Sequence, residues 1–277
     1  MIRATIANPI TISGIGIHSG ANCEVTLTPS TIGTGICFRV PDTCGNISEI
    51  PATVAYSLAQ SRASLLVKET AKILTPEHLL AALFGVGVSD AIITLSSPEV
   101  PILDGSATPF VNELLQAGIV QSGQPWFTAT VPVPIICNEN DASVLALPDP
   151  GLRFSMIIEY DNFIGTQSIT WDYDTRSFVT DIAPARTYAF KAEIDQLLAA
   201  GLGKGGTLDN AVVIGDSEYL SKLRFDDELV RHKLLDLIGD LSLVGTHLQG
   251  HFVGIRSGHA LNRQLALRLA ALPGQHP

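Results

Sequence analysis

Apolar and polar residues alternate through the opening of the chain. "ATIANPITISGIGI", "CEVTLTPS" and "GICFRV" place β-branched and other apolar side chains at period two between Gly, Pro and Asn breaks. That period predicts half-buried strands. The spacing becomes helical at "TPEHLLAALFGVG", where Thr75 suits the N-cap, Pro76 the first helical position, Glu77 the positive end of the dipole, and Gly85 or Gly87 the exit. "DAIITLS" reads as a buried strand and "TPFVNELLQAG" as a short helix ended by Gly118. Turn chemistry in "IVQSGQPW" then precedes new strands, "TATVPVPIIC", "ASVLALP" and "RFSMIIEY". Helices follow at "TYAFKAEIDQLLAAG" and "DELVRHKLLDLIGDLSLVG", with strands "NAVVIG" and "HFVGIRSG" and a last helix at "HALNRQLALRLAAL". Each half runs strands, a helix with a histidine near its start, a strand and another helix. The pattern predicts an α+β protein of two domains of similar layout, residues 1–124 and 125–277, each a mainly antiparallel sheet packed with helices.

Composition narrows the partners. A chain of 277 residues is comfortable as two domains, and a formal net charge of -10 argues against nucleic acid or an anionic membrane surface as the bulk partner. Cys23, Cys37, Cys44 and Cys137 show no CxxC spacing, so buried free thiols in a reducing compartment are expected. The uncharged stretches at the N-terminus and at 114–137 are broken by Pro, Gly and polar residues. Neither a signal peptide nor a spanning helix is expected, and the reading is a cytoplasmic protein without stable membrane insertion.

The candidate chemistry begins in "RHKLLDLIGD", which sets His232, Asp236 and Asp240 four residues apart. On a helix each such step turns by about 40°, so the three line one stripe. Leu234, Leu235, Leu237 and Ile238 fill most other directions. The stripe is either a solvated edge with a local ion pair or one side of a site, and if buried its charges need partners. In "PEHLL", Glu77 and His78 are about 100° apart and border one site only near the helix start; the alternative is an exposed first-turn Glu beside an incidental His. Taken together, His78, His232 and Asp236 make two imidazoles and a carboxylate, a suitable set for one catalytic Zn²⁺ with a position left for water. Glu77 beside it suits a general base.

His259 in "SGHALN" is either a capped helix start on a surface turn or an imidazolium held by Asp240 to stabilise an oxyanion or protonate a leaving amine. "SGIGIHSG" lacks the context of a dinucleotide loop and the lysine of a P-loop; it reads as a tight connection presenting His18 to a ligand. Asp104-Gly105 reads as a structural turn, Arg186-Thr187 as a hydroxyl donor or a plain loop, and "GLGKGGTLDN" as close backbone approach or mobility.

"GIGIHSG", "TPEHLLAAL", "PILDGSA", "APARTY", "RHKLLDLIGDLSLVG" and "SGHALN" occur in an order and spacing that resemble the zinc-dependent UDP-3-O-acyl-N-acetylglucosamine deacetylases across essentially the whole chain. The resemblance implies two α+β domains with the active site between them, one Zn²⁺ per chain, and removal of the N-acetyl group of UDP-3-O-acyl-GlcNAc as the committed step of lipid A synthesis. It carries the general base onto Glu77 and metal ligands onto His78, His232 and Asp236. Lys233 lies beside the substrate, Asp240 supports His259 as the cationic partner, Thr187 helps hold the oxyanion, and His18 lies near the diphosphate. The segment matching the acyl channel offers Tyr188, Ile194, Leu197, Gly206 and Leu208. A monomer is expected, and the fused form with a dehydratase domain is not. Departures from the family pattern are Leu74-Thr75-Pro76 before Glu-His, where many relatives carry Ser-Thr-Val or similar, and Asp161, Asn162 and Phe163 in place of a His-Pro pair on the uridine side; Lys204 is also unexpected in the segment bordering the lipid tail. A non-catalytic nucleotide-sugar or acyl-chain binding protein, or a zinc amidase for another N-acetyl substrate, are the alternatives; metal analysis with a deacetylation assay separates the first, a substrate panel the second.

Overall fold

The computed structural model describes residues 1–59 and 62–272. Two large sheets organise the chain. In the first, strands Ile10–Ile15, Asn22–Pro29, Ala91–Leu95, Ile36–Pro41 and Ile47–Pro51 lie side by side in that order. Ala91–Leu95, last in the chain, sits in the middle, antiparallel to Asn22–Pro29 and parallel to Ile36–Pro41. The second sheet has the same plan: Ile135–Glu139, Ala142–Leu147, His247–Ile255, Leu152–Tyr160 and Gly165–Asp172. Here too the last strand is central, antiparallel to Ala142–Leu147 and parallel to Leu152–Tyr160, with Thr128–Thr130 joining it on the side. The fold is α+β, as the alternating and helical patterns predict.

The helices are α1 (Glu77–Gly85), α2 (Thr108–Ala117), a single turn α3 (Thr175–Ser177), α4 (Lys191–Ala199), α5 (Glu228–Ser242) and α6 (His259–Ala270). Every residue of α1 is buried, as is most of α5, and the two pack along one another. One apolar core runs through both sheets and these helices. Gly239 explains how closely they meet: a Cβ there would lie 2.2 Å from the Glu77 carbonyl oxygen. Among the described residues no helix is long and apolar enough to cross a membrane.

Four local expectations are corrected. Thr75 is not the N-cap of α1: its backbone is left-handed (φ 57) and its hydroxyl points to Glu99, while the Pro76 carbonyl accepts the Leu80 N–H at 2.9 Å and Pro76 holds the cap position. The predicted helix from Thr187 begins later, because Tyr188–Phe190 pairs in parallel with Val212–Ile214 before α4 starts. The turn expected at "IVQSGQPW" is a strand, Ile119–Pro125, paired with Ile2–Ile6. Of the four cysteines expected to be buried, Cys23 and Cys137 are, whereas Cys37 is half-buried and Cys44, in a turn, is exposed. Gly165–Asp172 is a further strand that no pattern announces, because its side chains are mostly exposed or half-buried.

Candidate active site

The sharp entry into α1, through a left-handed Thr75, turns Glu77 and His78 toward the stripe on α5. His78, His232 and Asp236 offer ligand atoms that all lie within 4.8 Å of one another, and all three residues are buried. The two imidazoles meet edge to face with centroids 5.0 Å apart. Asp236 Oδ1 lies 3.7 Å from His78 Nε2 and 3.4 Å from His232 Nε2. The stripe faces His78.

The donor set fits a metal ion. His232 Nδ1–H donates to the Ala185 carbonyl at 3.2 Å, a contact that fixes the tautomer and leaves the Nε2 lone pair free. Burial, the largest effect, pulls His232 down to about 4, so the ring is neutral near pH 7. Burial alone would raise Asp236, but His232 and Lys233 hold its carboxyl well below the usual range. Its Oδ2 accepts from Lys233 Nζ at 2.7 Å, while Oδ1 and His78 Nδ1 are buried with no hydrogen-bond partner among the described residues. A neutral imidazole at His232 beside an ionised carboxylate with an unsatisfied oxygen gives the protonation states a divalent cation requires.

Acid and base stand against this set. Glu77 is buried, which raises its carboxyl despite His259 and His78 nearby; its Oε2 accepts from the Ser64 N–H at 3.2 Å. His259 Nε2 is 3.8 Å from Glu77 Oε1 and 3.9 Å from Asp236 Oδ2. Burial opposes charge on His259, yet Asp240, with Nδ1 to Oδ2 at 2.9 Å, and then Glu77 outweigh it and raise the imidazole to about 9. Asp240 also accepts from Asn262 Nδ2 at 2.8 Å and from the Ser64 hydroxyl. A carboxylate of raised pKa next to an imidazolium can serve as a base and acid pair.

Glu77, His78, His232, Asp236 and His259 wall a cavity of about 280 Å³ that His18, Thr187, Tyr188 and Lys233 also line. Thr187 is held by both flanks: its N–H donates to the Gly105 carbonyl at 2.8 Å, and Arg186 forms a buried pair with Glu228, Nε to Oε1 at 2.8 Å. The Asp104-Gly105 turn is thus structural. A second cavity of about 410 Å³ is lined by Tyr188, Ile194, Leu197, Gly206 and Leu208, the five residues proposed for an acyl channel. Ile17, His18, Arg62, Thr187 and Tyr188 line both cavities, which therefore adjoin. The glycine-rich loop makes a close backbone approach: Gly205 N–H donates to the Ile17 carbonyl at 3.0 Å. Lys204 donates its N–H to the His18 carbonyl at 3.3 Å and lines neither cavity. Asp161, Asn162 and Phe163 lie at the turn between two strands, where Phe163 meets the Tyr219 ring at 5.1 Å, and they line neither cavity.

Several site residues escape sequence reasoning. Ser64 and Arg62 come from a loop with no pattern. Asn262, one helical turn after His259, and Glu99, a lone acid in the apolar "SPEVPIL", carried a faint signal. Glu99 is buried and accepts the N–H groups of His18 and Ser19, each at 2.7 Å, which fixes the His18 loop.

A buried set of metal-ligand geometry, with a carboxylate base and a cationic imidazole beside it and an apolar cavity adjoining, has the architecture of a hydrolase acting on a substrate with an apolar tail. The chain belongs to the UDP-3-O-acyl N-acetylglycosamine deacetylase family, whose model it matches over residues 3–271. It is 40% identical over 272 residues to the UDP-3-O-acyl-N-acetylglucosamine deacetylase of Saccharophagus degradans, covering 96% of this chain and 89% of that protein. The enzyme of the same name from Marinobacter nauticus is 40% identical over 98% of this chain and 91% of its own length. That of Coxiella burnetii is 39% identical over 97% and 90%.

Proposed function

We propose that this protein hydrolyses the N-acetyl amide of UDP-3-O-acyl-N-acetylglucosamine, releasing acetate and a free amine, and so commits the sugar to lipid A. The observation that carries this reading is the convergence of Glu77, His78, His232, Asp236 and His259 on one cavity. A single Zn²⁺ held by His78, His232 and Asp236 would polarise the amide carbonyl and lower the pKa of water.

The protein's own groups do the rest. Glu77 Oε1, the oxygen not held by Ser64, takes the proton of the attacking water as its oxygen bonds to the carbonyl carbon. The Thr187 hydroxyl and the His259 Nε2–H stabilise the negative charge that develops on the carbonyl oxygen. As the carbon–nitrogen bond breaks, His259 protonates the departing amine, and Asp240 keeps the ring charged and oriented for that transfer. Lys233 and His18 contribute hydrogen bonds to the diphosphate, and the adjoining cavity takes the 3-O-acyl chain. The protein acts as a cytoplasmic monomer.

Turnover of UDP-3-O-acyl-GlcNAc substrates of graded chain length, with and without chelator, tests this reading. Acetate release that tracks bound zinc is expected; activity that survives complete metal removal overturns it.

A further inference from the structure

Arg62 is a cation of the site that the reaction above leaves unused. It lines both cavities, so its side chain lies where they adjoin. Its backbone is left-handed (φ 70), an unfavourable conformation for a residue with a Cβ, and such strain concentrates at functional positions. The guanidinium reaches across to α4, where Nη2 is 3.0 Å from Glu193 Oε2.

The other cations of the catalytic cavity are committed. Lys233 is 2.7 Å from Asp236 Oδ2, and the His259 Nδ1–H is bound to Asp240. Burial, its largest influence, holds His18 below its ordinary value, so that ring is neutral near pH 7. Arg62 differs because its partner is expendable: the side chains of Arg62 and Glu193 are 41% and 40% exposed, and an exposed pair of this kind contributes little. A phosphate offers the same guanidinium two charge-assisted hydrogen bonds in fork geometry. On the other side, α4 has no buried residue; Ile194, Leu197 and Leu198 line the apolar cavity rather than a packed core. Glu193 therefore holds Arg62 from a lightly seated helix.

We propose that Arg62 is a substrate-binding residue that exchanges partners, leaving Glu193 for the diphosphate of the nucleotide sugar. Glu193 acts as an internal competitor for the guanidinium until the anionic head arrives. This inference rests on the proposed function, since it requires a substrate with a phosphate-bearing head.

The test compares zinc-loaded wild type, Arg62→Ala, Arg62→Lys and Glu193→Gln by steady-state deacetylation of UDP-3-O-acyl-GlcNAc and by calorimetric titration with UDP. Arg62→Ala is expected to raise KM and the UDP Kd about tenfold or more with kcat within about twofold, and Arg62→Lys to lie between it and wild type. Glu193→Gln is expected to lower both constants by up to about fivefold, because it removes the competitor. The opposite signs are decisive, since a purely structural clasp would make both variants worse. Weaker UDP binding in Glu193→Gln, or unchanged UDP binding in Arg62→Ala, overturns the inference while wild-type turnover leaves the proposed function standing. A zinc-loaded wild type that does not deacetylate the nucleotide sugar overturns both.

Discussion

The two large sheets share one plan, two hairpins with the last strand inserted between them, yet the halves they anchor bring chemistry to the site in different ways. In the first half, α1 offers functional groups only in its first turn, from the adjacent residues Glu77 and His78, and the rest of the helix is core. In the second, α5 offers His232, Asp236 and Asp240 from its body. At a helix start the backbone does not screen what lies ahead, so neighbours about 100° apart can both border one site. In a helix body they cannot, and functional groups must recur every turn while the intervening positions stay apolar. The insertions differ as well: the first half adds the strands around Arg62 and Ser64, the second a strand–helix–strand unit around an apolar cavity. Similar scaffolds thus divide the site, with Glu77 and His78 on one side and His232, Asp236 and His259 on the other.

Removing a ligand from either half should have the largest effect. His78→Ala and Asp236→Ala are each expected to lose bound zinc and fall to background acetate release; a His78→Ala protein with full metal content would mean that the second half holds the ion alone. Glu77→Ala comes next, lowering kcat by about 10²–10⁴-fold with metal retained. Normal turnover in that variant would remove Glu77 from the role of base.

The pH profile separates the acid of one half from the base of the other. Glu77 must be unprotonated and His259 protonated, so kcat/KM should fall as pH drops through the raised pKa of Glu77 and again as pH climbs through about 9. Asp240→Asn leaves burial unopposed by the nearest charge on His259, so the alkaline limb should move to lower pH by about one unit or more. An alkaline limb still near 9 in that variant would falsify the pairing of Asp240 with the acid. The smallest effect is on stability. Gly239→Ala places a Cβ 2.2 Å from the Glu77 carbonyl oxygen and should cost about 1–3 kcal/mol, read as a lower denaturant midpoint at unchanged slope. An unchanged midpoint would show that α1 and α5 can separate without penalty.

Much of the site was legible because burial made its polar residues conspicuous. His232 and Asp236 stand out in an otherwise leucine and isoleucine helix, and His78 completes a donor set that neither segment makes alone. Tyr188, Ile194, Leu197, Gly206 and Leu208 were identified through resemblance, not periodicity, since a cavity wall obeys no simple repeat. Thr75 was misread because threonine is a favoured N-cap while a β-branched residue rarely takes the left-handed region; its hydroxyl goes to Glu99, a partner 24 positions away. Ile119–Pro125 was missed because a Gly and polar side chains resemble a turn until Ile2–Ile6 supplies the hydrogen bonds. Arg62 and Ser64 had no signal, since an arginine or serine in a loop is ordinary until its neighbours are known.

The sequence by itself determined the α+β class, most of the strands and helices, and which helices carry polar groups against an apolar background. Those are local properties, written in periods of two and 3.6 residues. Only the tertiary structure decided that the first turn of α1 meets the stripe of α5, that Ser64 touches both Glu77 and Asp240, and that Arg62 stands where two cavities adjoin. Each of these depends on surfaces brought together from distant parts of the chain by burial of a common core. No local period records which surfaces will meet.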